Sequence, residues 1–362
     1  MNASAIPGRL DRVRSWLAEE SIDALLVSQP ENRVYLSGFT GSSGVLFISA
    51  DLALIATDFR YFAQVGIESP HFELVEVTST FADVLPDLLA RQQPRRLAFE
   101  ADHATFADAQ EWAQVAPDPE WVPTKGVIME MRAVKDAREI ETLREAIRLT
   151  DEALAAGLEQ VRAGMTEREL AWAFERYMRK NGAAAASFEI IVAAGPNGAR
   201  PHARASGDAL PLGEPIVIDM GARVDGYCAD LTRTVCLGQP ADAQRFWEIY
   251  DTVMLAQQAA EAAVRPGLTG KEIDAVARDL ISEAGYGEDF GHGLGHGVGL
   301  AIHELPRLSR FGTSPLVAGN VVTVEPGIYL PDWGGVRIED VVLVTENGVE
   351  VLTKASKDPV IT

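Results

Sequence analysis

Hydrophobic and polar positions change their period along this chain, and the changes mark its parts. Leu10 to Glu20 has helical spacing, whereas Ala24 to Ser28, Val45 to Ser49, Leu52 to Thr57 and Arg96 to Glu100 are short strand-like runs. Helical and extended pieces alternating from Pro7 to about Glu130 predict an α/β domain, with Val45 to Ser49 and Leu52 to Thr57 as paired strands. A Pro-containing segment from Ala116 to Pro123 and the mixed-charge run VKDAREIETLREAI mark a transition, so domains are expected at 1–130 and 131–362.

Beyond that point the pattern repeats. Val161 to Gly182, VRAGMTERELAWAFERYMRKNG, aligns without gaps on Val264 to Gly285, VRPGLTGKEIDAVARDLISEAG. Each copy places Thr three residues before Glu, Thr166 with Glu169 and Thr269 with Glu272, the signature of a capping box that satisfies orphan amides at a helix start. An amphipathic stretch, a terminal Gly and a strand-like run follow each box. Two related αβ halves are predicted, their strands pooled in a curved, mostly antiparallel sheet with helices outside.

Acidic residues interrupt these apolar strands. PIVIDMGARV from Pro215 and YCADLTRTV from Tyr227 flank Asp225-Gly226, a type I′ hairpin signal. With Val224 opposite Tyr227, Gly221 faces Asp230, and Asp219 lies on the same face as diagonal neighbour to Asp230. Two carboxylates so close repel unless a cation lies between them. Glu325 closes the run VVTVE and Glu339 interrupts VRIEDVVLV, with Pro326-Gly327 and Gly334-Gly335 expected as turns. Arg337, two residues before Glu339, shares its face in a strand and is placed to orient that carboxylate. Between the two pairs runs FGHGLGHGVGLAIHE, carrying His292, His296 and His303. Four carboxylates and one imidazole, Asp219, Asp230, His296, Glu325 and Glu339, form a donor set suited to two adjacent divalent cations.

Composition narrows the context. A 362-residue chain with 47% hydrophobic residues can fill two cores. A net charge of −21 disfavours nucleic acid or an anionic membrane as partner. Neither a signal peptide nor an apolar run of membrane-spanning length is apparent, and Cys228 and Cys236 sit too far apart on one proposed strand to bridge, so a reducing, cytoplasmic setting is expected.

The strings IDMGARVDGYCADLTRT, GHGLGHGVGLAIHELPRLS and TVEPGIYLPDWGGVRIEDVVLVTENG resemble the motifs of the Xaa-Pro peptidases, the prolidase and aminopeptidase P branch of the creatinase-like pita-bread metallopeptidases. NRVYLSGFTGSSGVLFIS and TDFRYFAQV resemble the N-terminal domain of that branch, and MRAVKDAREIETLREA the start of its catalytic domain. The resemblance implies an α/β (α+β) chain, a creatinase-like N-terminal domain followed by a pita-bread catalytic domain.

It also implies a reaction. Asp219 would bind one metal ion, His296 and Glu325 the other, and Asp230 and Glu339 both, with Mn²⁺ expected and Co²⁺ or Zn²⁺ as alternatives. A metal-bridging hydroxide would cleave the Xaa-Pro bond of dipeptides, with Glu325 shuttling the proton and His202 and His303 as further catalytic groups. The residues matched to substrate binding are Phe188, Ile191 and Ile302 around the proline ring, Arg307 at the terminal carboxylate, and His202, His292, His303 and Arg337 lining the pocket. A homodimer is implied, with the N-terminal domain placed over a neighbour's active site. The alternatives are an aminopeptidase P acting on longer peptides with proline second, and a metal-free binding protein on the same fold.

Overall fold

The computed structural model describes residues 5–162 and 164–361, in two compact units, Met1–Met131 and Arg132–Thr362. The first unit is one six-stranded sheet with helices. Its strands are β1 (Ala24–Val27), β2 (Val45–Ser49), β3 (Ala53–Asp58), β4 (Glu73–Val77), β5 (Arg96–Glu100) and β6 (Glu120–Thr124), in spatial order β4-β3-β2-β1-β5-β6. β2 pairs antiparallel with β3, as the two apolar runs suggested. The opening helix runs from Ile6 to Glu19, beginning before the expected Leu10 because Pro7 fits its first turn. The segment expected as a Pro-rich transition contains β6 instead. β6 is an edge strand, where Pro123 deprives no second neighbour of a hydrogen bond.

The second unit carries the repeat. Its strands are β7 (Ala185–Ala186), β8 (Ile191–Ala194), β9 (Pro215–Met220), β10 (Ala222–Val224), β11 (Tyr227–Cys228), β12 (Leu231–Leu237), β13 (Gly295–Gly297), β14 (Glu304–Leu308), β15 (Val321–Val324), β16 (Gly327–Leu330), β17 (Gly334–Arg337), β18 (Asp340–Thr345), β19 (Gly348–Val351) and β20 (Val360–Ile361). They form sheets ordered β11-β10-β7, β20-β12-β9-β8, β14-β13-β15-β18-β19 and β16-β17, antiparallel throughout except for β12 against β20. Both capping boxes are closed. Thr166 N–H donates to Glu169 at 2.8 Å and Thr269 N–H to Glu272 at 2.7 Å, starting the helices Glu167–Lys180 and Gly270–Glu283.

Each half has its own core. Ile216, Ile218, Met220, Leu231 and Val235 pack with Leu170, Phe174 and Met178 in the first half. Val322, Val324, Val336, Ile338 and Val342 pack with Ile273, Ala277 and Ile281 in the second. Because strand side chains alternate, the residues between these apolar ones point away from the helices: Asp219, Thr232, Thr323, Arg337 and Glu339. Helix packing on one face therefore sets a polar, buried opposite face.

Two expected turns are not turns. Gly327 and Gly334-Gly335 lie inside the β16–β17 ladder, which pairs Gly327 with Arg337 and Leu330 with Gly334, and residues 331–333 make the turn. Gly335 is needed for close approach, since a Cβ there would collide with the carbonyl of Gly198. Among the described residues no helix is long and apolar enough to cross a membrane, and no disulfide joins Cys228 and Cys236.

Candidate metal centre

The Asp225-Gly226 hairpin sets the first two carboxylates. Both residues have positive φ, +47° and +88°, as a type I′ turn requires, and Val224 pairs with Tyr227. The register continues through Ala229 N–H to Ala222 C=O and on to Leu231 opposite Met220, which leaves Gly221 facing Asp230. The ladder is nevertheless interrupted there, because β9 ends at Met220 and β12 begins at Leu231. A side chain at Gly221 would collide with the Ala229 carbonyl, so glycine lets the two backbones close while Asp230 turns inward.

The second half delivers its acids from strand ends. Glu325 follows β15, and Glu339 occupies the gap between β17 and β18. Glu339 N–H donates to the Thr232 carbonyl at 3.1 Å and its Oε2 accepts from Thr232 Oγ1 at 2.7 Å, so β12 holds it by backbone and side chain. His296 lies on β13 with its N–H on Thr323 Oγ1 at 3.0 Å. Its Nε2 is 3.2 Å from Glu325 Oε1 and 3.6 Å from Asp230 Oδ2.

One donor atom each from Asp230, His296 and Glu339 lie within 4.8 Å of one another, spacing that can hold a metal ion. Asp219 Oδ1 and Glu339 Oε1 are buried without a hydrogen-bond partner. Orphaned carboxylate oxygens are costly, and a divalent cation is the kind of partner that would satisfy them. The residues present therefore fit the metal.

Protonation equilibria tell the same story for the metal-free protein. Burial, with the neighbouring Glu339 and Asp219 charges, pushes Asp230 well above the ordinary carboxylate range, and burial with Glu325 and Asp219 does the same to Glu339. Burial raises Asp219 too, partly opposed by Arg337. Burial also works against ionised Glu325, but its hydrogen bond and charge pairing with His296 prevail and bring it down to about 2. Protons occupy positions that a cation would take, which couples metal uptake to proton release.

Arg337 does not orient Glu339. Its Nη2 donates to Asp219 Oδ2 at 2.6 Å, Nη1 to Tyr329 OH at 2.8 Å and Nε to Thr232 Oγ1 at 3.1 Å. The β17–β18 break separates Arg337 from Glu339, and the guanidinium reaches across to β9. His292 has both ring nitrogens occupied within the protein: Nδ1 against Gly293 C=O at 2.8 Å and Nε2 against Tyr329 OH at 2.9 Å. A carbonyl only accepts, so Nδ1 carries the proton and Tyr329 donates to Nε2 while accepting from Arg337. Of the residues expected to line the pocket, His292 and Arg337 thus form a strut to Asp219.

The remaining residues are placed as follows. The His303 ring meets the His296 ring edge to face at 4.3 Å between centroids. His303 and His202 are both exposed, and His202 is close enough to depress the His303 pKa beyond what burial and His296 do. Ile191 is buried directly opposite Asp219 on β8 and packs with Ala193 and Ala203. Arg307 pairs with His296 across β14 and β13, which puts its exposed side chain on the His296 face. Ile302 is half-buried beside His303, and Phe188 lines a groove of about 490 Å³ with Trp172, Arg168 and Arg179. Thr232, Thr323 and Tyr329 are contributors that the sequence reading missed. Their one available signal was strand parity with Asp230, Glu325 and Arg337.

Comparison with known proteins defines the class. Residues 141–346 match metallopeptidase family M24, and residues 9–134 match the creatinase/prolidase N-terminal domain. The chain belongs to metallopeptidase family M24. It is 37% identical to an Xaa-Pro dipeptidase of Pyrococcus furiosus over 97% of this chain and 99% of that one. Among solved structures, an Xaa-Pro dipeptidase from Bacillus anthracis superposes with a TM-score of 0.95 at 40% identity, covering 99% of this chain and 100% of the other. An X-Pro aminopeptidase from Thermotoga maritima gives 0.90 at 40% identity, covering 98% and 99%.

Proposed function

We propose that this metallopeptidase hydrolyses the Xaa-Pro peptide bond, foremost in dipeptides, with two divalent cations per subunit. The supporting observation is the donor cluster of buried Asp230 and Glu339 with half-buried His296, together with the unpartnered oxygens of Asp219 and Glu339. Asp219 would hold one cation, His296 and Glu325 the other, and Asp230 and Glu339 both. The cations, Mn²⁺ or Co²⁺ for this oxygen-rich set, would supply Lewis-acid polarisation of the scissile carbonyl and an activated water.

The chain's own groups do the rest. Glu325, held by Thr323 Oγ1 at 3.1 Å, takes the proton from the attacking water and passes it to the departing proline nitrogen. His303 and His202 present ring nitrogens to the substrate carbonyl and the developing oxyanion, each contributing roughly 3–4 kcal/mol. Ile191, Ile302 and Phe188 offer apolar surface to the proline ring, and Arg307 binds the terminal carboxylate through charge-assisted hydrogen bonds. We further propose that the enzyme is a cytoplasmic homodimer, for which gel filtration at micromolar concentration should give twice the chain mass.

Ala-Pro and Ala-Pro-Ala hydrolysis by Mn²⁺-loaded and chelated protein tests the assignment. Metal-dependent turnover of the dipeptide alone is expected. Preferred turnover of the tripeptide would favour the second reading, an aminopeptidase P, which the likeness to the Thermotoga enzyme supports. Silence on both with metal bound would leave a binding protein.

A further inference from the structure

Residues 298–303, between Gly297 and its β-ladder partner Glu304, form a short excursion that carries Ile302 and His303. Adjacent side chains there have opposite fates. His303 is exposed beside the His296 ring, while Glu304 turns under the excursion into a closed space where its side chain is 2% exposed. Glu304 meets two cations there, pairing with Arg132 and lying 2.9 Å from Lys135 Nζ, and their side chains are 2% and 1% exposed. The carboxylate also touches the excursion itself. Ala301 N–H approaches Oε2 at 3.4 Å, and any side chain at Gly299 would collide with Oε1. Further along, Asn320 Nδ2 donates to Ala133 C=O at 2.9 Å and Lys135 N–H to Gly319 C=O at 2.9 Å, so the segment bearing both cations is fixed on the strand system.

Resting on the proposed role of His303 in Xaa-Pro hydrolysis, we propose that Glu304, clamped by Arg132 and Lys135, is a positioning residue that sets the His303 ring against the substrate. Two cations around one carboxylate hold it more rigidly than a single pair, and a small displacement of a reacting group is enough to matter, about a hundredfold for 1 Å.

A double-mutant cycle tests the proposal, with metal content per chain measured for every variant. Glu304→Gln should lower kcat on Ala-Pro about a hundredfold with metal content unchanged, and in a His303→Ala background it should cost less than about twofold more. Full turnover by Glu304→Gln, or losses that multiply in the double variant, would overturn the idea. Should Glu304→Gln fail to fold, Lys135→Met leaves a balanced pair and should lower kcat about tenfold with the same non-additivity, whereas Lys135→Arg restores turnover. A readout independent of catalysis is the ¹⁵N-histidine spectrum of Zn²⁺-loaded protein, in which the His303 signal is identified by its loss in His303→Ala. Lys135→Met should shift it and leave in place the signals of His71 and His103, the two histidines of the first unit. An unmoved His303 signal would refute the clamp even if the wild-type protein hydrolysed no Xaa-Pro peptide and the functional reading fell.

Discussion

The two halves of the catalytic unit begin alike and end differently. Both carry a Thr–Glu capping box whose helix packs against strands, and each contributes to the candidate centre a buried carboxylate oxygen without a hydrogen-bond partner: Asp219 Oδ1 in the first half, Glu339 Oε1 in the second. In the first half a tight hairpin delivers Asp219 and Asp230 in almost unbroken register. In the second, Gly-rich chain, strand ends and an excursion deliver His296, Glu325, Glu339 and His303. Repetition thus supplies the scaffold twice, and the two copies differ in how each brings its polar side chains to the shared buried face.

Buried carboxylates also serve the two halves differently. Glu167 in the first accepts from Ala194 N–H at 2.7 Å, Ser206 N–H at 2.7 Å and Asn197 Nδ2 at 2.8 Å, fixing the loop that bears His202. Asp274 in the second accepts from Leu294 N–H at 3.0 Å and pairs with Arg278, whose other donors hold the carbonyls of Phe290 and His292. One half fixes its loop through a carboxylate alone, the other through an ion pair.

The largest effect should come from removing the carboxylates proposed to hold both cations, one from each half. Asp230→Ala and Glu339→Ala are expected to abolish Ala-Pro turnover and lower metal content, measured by elemental analysis; normal activity in either would detach it from the site. Arg337→Lys, which removes the forked grip on Asp219 and Tyr329, should weaken metal binding about 10–100-fold in calorimetric titration. Unchanged affinity would show that the first half needs no support from the second.

A smaller effect concerns pH. Asp230 and Glu339 are shifted upward in the metal-free fold, so at these two carboxyls the native state holds more protons than the unfolded chain above about pH 4. Their contribution to the stability of chelated protein should therefore fall as pH rises from 5 to 8. Glu325, shifted down to about 2, acts in the opposite sense, but only as pH falls below its unfolded value of about 4.3. Thermal melts of chelated Asp230→Asn should show a shallower decline, and an identical slope would contradict the assignment. The smallest effect tests the scaffold. Thr166→Ala and Thr269→Ala should each cost about 1 kcal/mol of stability in denaturant melts and leave kcat alone.

Much of this was legible in the sequence because local rules decided it. Positive φ at Asp225-Gly226 sets a register, and Thr166 with Glu169 sets a helix start, without help from distant residues. Glycines were less legible. Gly334 and Gly335 look like turn residues in sequence, yet they are strand residues that other backbone crosses closely. Arg337 is a related case. Strand parity placed it with Glu339, but the strand breaks at that point and its partner, Asp219, lies on another strand. The Glu304 clamp depends on Arg132 and Lys135, far away in sequence, and had no local signature.

The most direct test of the two-cation account is to titrate metal-free protein with Mn²⁺ while following Ala-Pro hydrolysis. We expect turnover to rise until two equivalents per chain are bound and then to level off. Full turnover at one equivalent, or turnover that persists in excess chelator, would contradict the account.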